Sequence, residues 1–283
     1  MNMNDLQKCQ LNILKDFIKV CEKNNLTYYL VSGSCLGAVR HKGFIPWDDD
    51  IDVGMPREDY NKLVTLQSDF QERYFIQTYK TDKKYLYNFA KIRDCETTYI
   101  ENNFMTTQIN HGVWLDVFPL DGFSYEYEDS EKFEKVVRRT WRRTILGYPW
   151  NLRRKFSKRT FFIDLGLNIV ALLTFWTNIG QYRNKSVEKM LTKIPYDKAK
   201  TVGNHYGIYY KKEAMPIEWF GEGTKATFEG VEVIIPKEYD KYLTKLYKDY
   251  MTPPPPEKRI GHHFDKGLTL TQGYKDYIKE HKM

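Results

Sequence analysis

Apolar residues at Leu6, Cys9, Ile13, Leu14, Phe17, Ile18 and Cys21 recur at steps of three and four, which predicts one buried face of an opening helix. Asn24 and Asn25 end it. The apolar run 28–31 predicts a short strand, and Gly33-Ser34 turns the chain into a second helix reaching about His41, with Gly37 and Gly43 bracketing its end. Residues 51–55 predict a second strand. Pro56 then stands where a helical turn begins, with Tyr60, Leu63 and Val64 facing inward. Further short strands are expected at 75–79, 89–93 and 114–117, closed by Pro119 and Asp121-Gly122. From about residue 126 the pattern becomes helical. A hairpin follows at 224–228 and 231–235 about Glu229-Gly230, then a helix from Glu238 and a polyproline II run at 253–256. The expected fold class is α+β: a mixed β-sheet core with flanking helices in 1–125, a basic helical insertion in 126–200, and a C-terminal hairpin and helix region in 201–283 that packs on the core and completes the site.

Composition changes this picture in three places. The chain has 283 residues and 41% hydrophobic content, enough for a core without staples. Its four cysteines, Cys9, Cys21, Cys35 and Cys95, lack CxxC spacing and follow no signal peptide, which points to reduced, half-buried thiols in a cytoplasmic protein. Nine lysines and arginines fall between Arg138 and Arg159 with no acid among them; set against a net charge of +7, they leave −2 for the rest of the chain. Residues 161–180 follow, the most apolar window. Asp164, Asn168, Ala171 and Asn178 share one stripe of it, so a buried helix, an interfacial helix and a spanning helix all stay open. A basic block beside an apolar helix suits the anionic inner face of a membrane or a plain solvated helix pair, and no nucleic-acid-binding fold accompanies the charge.

The chemistry concentrates in Asp48, Asp49, Asp50 and Asp52, four acids in five positions. Unit charges about 4 Å apart repel by roughly 4 kcal/mol at an effective dielectric near 20, so the cluster calls for a cation. Side chains two apart on a strand share a face, so Asp50 and Asp52 point together while Ile51 and Val53 enter the core. With no His or Cys nearby, such oxygens favour Mg²⁺ or Mn²⁺. Asp116, a lone acid in the apolar strand around Trp114, is the candidate third carboxylate, as metal ligand or as proton acceptor for an attacking hydroxyl. Taken alone, the acid run fits a solvated loop or calcium-binding turn equally well. The Gly33-Ser34 turn, sixteen residues before Asp50, tips the reading toward phosphate, which backbone N–H groups at a helix start receive. Arg40 and Lys42 either contact a diphosphate or complement the helix dipole, with His41 a weaker candidate. Lys91 is by default an exposed strand lysine. Trp47 stacks on a base or cationic head group, or serves the core or a lid. Tyr206, Tyr209 and Tyr210 cluster with His205 in ordinary half-buried fashion, and His262 and His263 read as a tail.

The segment 29–55, with Ser32-Gly33-Ser34 and the run from Gly37 through Pro46-Trp47-Asp48-Asp49-Asp50-Ile51-Asp52, resembles the LicD family of phosphocholine transferases, to which the fukutin group is similar. Residues 112–121, Trp219-Phe220-Gly221, Phe228-Glu229-Gly230 with Pro236, and 247–262 extend the likeness over about residues 25–263. The resemblance implies a nucleotidyltransferase-like core, Mg²⁺ (or Mn²⁺) held by Asp50, Asp52 and Asp116, and a CDP-alcohol donor, CDP-choline first. It implies that the phosphorylated alcohol moves to a glycan hydroxyl of a lipid-linked acceptor, such as a lipopolysaccharide or teichoic acid precursor, with release of CMP. Gly33, Ser34, Arg40, Lys42, Trp47 and Lys91 are then the candidate substrate contacts. CDP-ribitol and CDP-glycerol remain alternative donors, and a catalytically silent glycan- or lipid-binding protein is the rival of a different class. Lys248 departs from the pattern, since glycine is expected after Tyr247.

Overall fold

The opening periodicity forms helix α1 (Asp5–Asn24). Asn4 and Gln7 close a capping box at its start: Asn4 Oδ1 accepts from the Gln7 amide at 2.8 Å and Gln7 Oε1 from the Asn4 amide at 3.2 Å. Asn25 ends the helix in the left-handed region, φ 51° and ψ 51°. A computed structural model of the protein describes residues 3–101, 108–123, 179–206, 209–259 and 265–281, with scattered positions between 131 and 173. The basic block beyond Arg139 and most of 161–180 lie outside the described residues, as do His262 and His263.

The core is a mixed sheet of β1 (Tyr29–Leu30), β2 (Asp52–Pro56), β3 (Tyr74–Gln77), β4 (Ala90–Asp94), β6 (Val113–Phe123), β7 (Thr201–Gly203) and β8 (Met215–Pro216). The main path runs β1-β2-β6-β4-β3, with β7 on the far end of β6 and β8 beside it. Among the described residues only the β2–β6 pair of this sheet is parallel. β6 runs well past the expected 114–117. Its residues are buried except Phe118, so it reads as the sheet's spine rather than as a half-exposed strand.

Helix α2 (Ser32–Arg40) links β1 to the acid loop, and α3 (Arg57–Leu63) follows β2. Beyond the core come α4 (Ile179–Leu191), the hairpin β9 (Thr224–Phe228) and β10 (Val231–Ile235), α5 (Tyr239–Tyr247) and α6 (Tyr274–Glu280). The hairpin takes its expected register, Phe228 opposite Val231. Glu229 and Gly230 both have positive φ, 49° and 75°, as a type I′ turn requires. Sequence periodicity missed β5 (Thr98–Glu101), because its partner is β11 (Asp265–Thr269), far along the chain. Pro255 is extended, at φ −52° and ψ 148°, but Pro256–Lys258 closes into a short 3₁₀ turn. Cys21 and Cys35 are buried, Cys9 and Cys95 half-buried, and all four are free thiols.

Candidate active site

Strand pairing builds the floor of the site. Antiparallel register sets Lys91 of β4 opposite Asp116 of β6, and parallel register sets Asp52 of β2 opposite Asp116. Three charges therefore form one row across adjacent strands, on the face where cross-strand side chains meet. Asp50, at the mouth of β2, joins them: carboxylate oxygens of Asp50, Asp52 and Asp116 lie within 4.8 Å of one another. Asp48, Asp49 and Asp50 make a second set by the same measure, with Asp50 common to both.

The loop before β2 is held from two sides. Gln7 and Gln10, on the buried face of α1, donate from their side-chain amides to the carbonyls of Asp48 (3.1 Å) and Asp49 (2.7 Å). The Tyr99 hydroxyl donates to Asp49 at 3.3 Å. From the other side, the hairpin turn engages the segment that leads into the acids: the Glu229 amide donates to the Lys42 carbonyl at 2.8 Å, and its carboxylate accepts from the Phe44 amide at 3.1 Å. Gly37 and Gly43 permit a close approach there, because a Cβ on Gly37 would stand 2.5 Å from the Gly43 carbonyl oxygen.

Lys91 is not an exposed strand lysine. It is 2% exposed, with Nζ 2.9 Å from Asp116 and 3.2 Å from Glu101 and 4.1 Å from the Trp114 ring centre. A buried ammonium survives there because two carboxylates and an aromatic face replace its water. Asp116 is consequently not a lone acid: Oδ2 accepts from Lys91 at 3.2 Å and from Trp114 Nε1 at 2.9 Å, and Oδ1 is ion-paired with the same Lys91 ammonium at 2.9 Å. Burial first, and then the charges of Asp50, Asp116 and Asp48, push the Asp52 carboxyl well above its ordinary range, with Lys91 acting against them.

Ser34 takes a different place from the one expected. It is buried, and its hydroxyl accepts from the Asp52 amide at 2.8 Å, so it braces β2 rather than lining the cleft. The Gly33-Ser34 pair is helix rather than turn, since α2 starts at Ser32. The Ser32 amide donates to the Tyr242 hydroxyl at 3.0 Å, and Gly33 follows as the next donor that no turn of α2 can satisfy. Lys42 is exposed and does not line the cleft. Arg40, Trp47 and Gly33 do line it. Arg40 spends Nη1 on the Tyr250 carbonyl at 2.6 Å, and the Arg259 guanidinium lies 5.3 Å from the Trp47 ring centre.

The cleft above this floor holds about 700 Å³. Its lining acids (Asp48, Asp50, Asp52, Glu101, Asp116, Glu213 and Asp249) outnumber its bases (Arg40, Lys91 and Lys258) by seven to three. An excess of carboxylates facing one space, one of them held toward its protonated form by its neighbours and by burial, fits a hard divalent cation. Sequence reasoning missed Glu101, Glu213, Gln7 and Gln10. Gln7 and Gln10 carried one signal, polar residues three apart among the apolar positions of α1.

The chain matches the LicD/FKTN/FKRP nucleotidyltransferase domain over residues 25–161. It is 31% identical over 274 residues to the lipopolysaccharide cholinephosphotransferase LicD of Haemophilus influenzae, covering 95% of this chain and 99% of that one. It is 30% identical over 122 residues to the human ribitol 5-phosphate transferase FKRP, 38% of this chain and 24% of that one. The chain belongs to the LicD family.

Proposed function

We propose that this protein transfers phosphocholine from CDP-choline to a hydroxyl of a cell-surface glycan precursor and releases CMP. The observation that carries the reading is the row Lys91–Asp116–Asp52, joined by Asp50, at the floor of a cleft large enough for a nucleotide-linked donor. Asp50, Asp52 and Asp116 would hold Mg²⁺ or Mn²⁺, which when bound offsets the charge of a diphosphate and of its displacement. Lys91 and Trp114 fix the Asp116 carboxylate, which is the group placed to receive the proton of an acceptor hydroxyl. The start of α2 offers the Gly33 amide to a phosphate oxygen, and the N–H groups of Arg40 not bonded to Tyr250 offer a second contact. Trp47 walls the cleft beside the acids and suits a stacked base.

Ribitol phosphate is the second donor chemistry, favoured by the likeness to FKRP, although that likeness covers 38% of the chain where the likeness to LicD covers 95%. The acceptor is read as lipid-linked and the protein as working at the inner membrane face. Among the described residues no helix is long and apolar enough to cross a membrane. Phe161, Phe162, Leu165, Ile169 and Leu173 are nevertheless exposed, and they follow the basic block.

The test is CMP release from CDP-choline, CDP-ribitol and CDP-glycerol with Mg²⁺, by the wild type and by Asp52→Asn. CDP-choline should turn over fastest, and Asp52→Asn should lose roughly a thousandfold. Faster turnover of CDP-ribitol would move the assignment to an alditol phosphate. No release from any donor, with no Mg²⁺-dependent binding of CDP-choline, would leave a silent glycan- or lipid-binding protein of the same fold.

A further inference from the structure

At one end the cleft reaches Asn204 and Glu213, residues that also line a small second cavity of about 10 Å³ with Phe220 and Tyr242. Glu213 is 4% exposed, and its Oε1 has no hydrogen-bond partner. A buried carboxyl with an idle oxygen is costly, and such a group calls for a partner from outside the protein, whether a water, an ion or a ligand. The partners it has are insufficient. A hydrogen bond from the Tyr209 backbone and the nearby Lys245 charge favour the ionised form, but burial prevails and lifts the carboxyl to about 8.

The surroundings are aromatic. Tyr209 and Tyr247 both line the cleft, their rings edge to face with centres 5.2 Å apart. Tyr209 feels the charge of Glu213 as well as those of Asp48 and Asp52, so it is near both the buried carboxyl and the acid floor. A polyol here would need a donor or acceptor for each hydroxyl, and a primary ammonium would need three acceptors. A quaternary ammonium needs neither, since aromatic faces and one carboxylate satisfy it.

We propose that Glu213, Tyr209 and Tyr247 form the subsite for a quaternary ammonium head group on the donor alcohol. This rests on the transferase reading above and adds to it the residues that choose the alcohol. A permanent cation entering the subsite draws the Glu213 proton off to solvent, so donor affinity should improve as pH rises from about 6.5 to 8, with Lys245, Tyr209, Tyr242 and Tyr247 as the other titratable groups around it.

The experiment compares CDP-choline with its neutral carbon isostere, CDP-3,3-dimethylbutanol, in the full chain with Mg²⁺, and measures CMP affinity as a control. The wild type should prefer the cation by roughly 10- to 30-fold in kcat/KM. Glu213→Gln should lose most of that preference and its rise with pH, with CMP binding within about twofold of the wild type. If Glu213→Gln does not fold, Tyr247→Leu is the second variant and should lose the same preference. An unchanged preference in the folded variant overturns the head-group site and leaves the transferase reading intact. No turnover of CDP-choline by the wild type overturns both.

Discussion

Lys91 shows how much one side chain decides here. Its ammonium lies against Asp116 and Glu101 with almost no water, and Arg93, fully buried on the same strand, binds Glu101 at 2.7 Å. Removing one partner of such a group leaves buried charge behind, which costs more than the pair contributes. Lys91→Met should therefore lower stability by about 3 kcal/mol in urea melts at unchanged m; a loss below about 1 kcal/mol would mean that Lys91 does not offset the acids. The four-acid motif was legible in the sequence because charge crowding is visible without a fold. The burial of Lys91 was not, because an isolated strand lysine carries no mark of which neighbour strand will face it.

At the scale of elements, the hairpin and the end of α5 deliver side chains to the site. The Glu229-Gly230 turn was readable because a two-residue loop between alternating strands permits few backbones. That its carboxylate would hold the Phe44 amide was not, since 185 residues separate them. Lys248 caps α5 at φ 63° and ψ −113°, a conformation that favours glycine, which is the residue the family pattern expects there. The departure noted in the sequence is thus a point of backbone strain. Lys248→Gly should raise stability by roughly 1 kcal/mol, read as a higher urea midpoint, and no gain would show that the loop relaxes around the lysine.

At the scale of the whole molecule, buried titratable groups set the response to pH. Burial depresses His205 to about 4 and raises Glu213 to about 8. His205 then binds fewer protons folded than unfolded, so its contribution is present above the unfolded value near 6.5 and is lost as pH falls toward 4. Glu213 binds more protons folded than unfolded, so its contribution is present below about 4.5 and is lost as pH rises to 8. Between 4.5 and 6.5 the two oppose each other, whereas above 6.5 only the acid effect remains. Thermal melts should show stability falling by roughly 2 kcal/mol between pH 6.5 and 8 in the absence of divalent cations, and less in Glu213→Gln; an equal fall in that variant would assign the slope to other groups.

The amino-acid sequence by itself determined the opening helix and its stop, the hairpin, the order of strands and helices through β2, and the crowding of acids in one loop. These follow from periodicity, turn chemistry and like-charge repulsion, which act over a few residues. Only the tertiary structure decided that Asp116 stands beside Asp52, that Lys91 is buried between carboxylates, that Ser34 braces a strand, and that Glu213 ends in a cleft walled by tyrosines. Each depends on which strands pair and in what register, and that choice is made by burial over the whole core, where no local pattern records it.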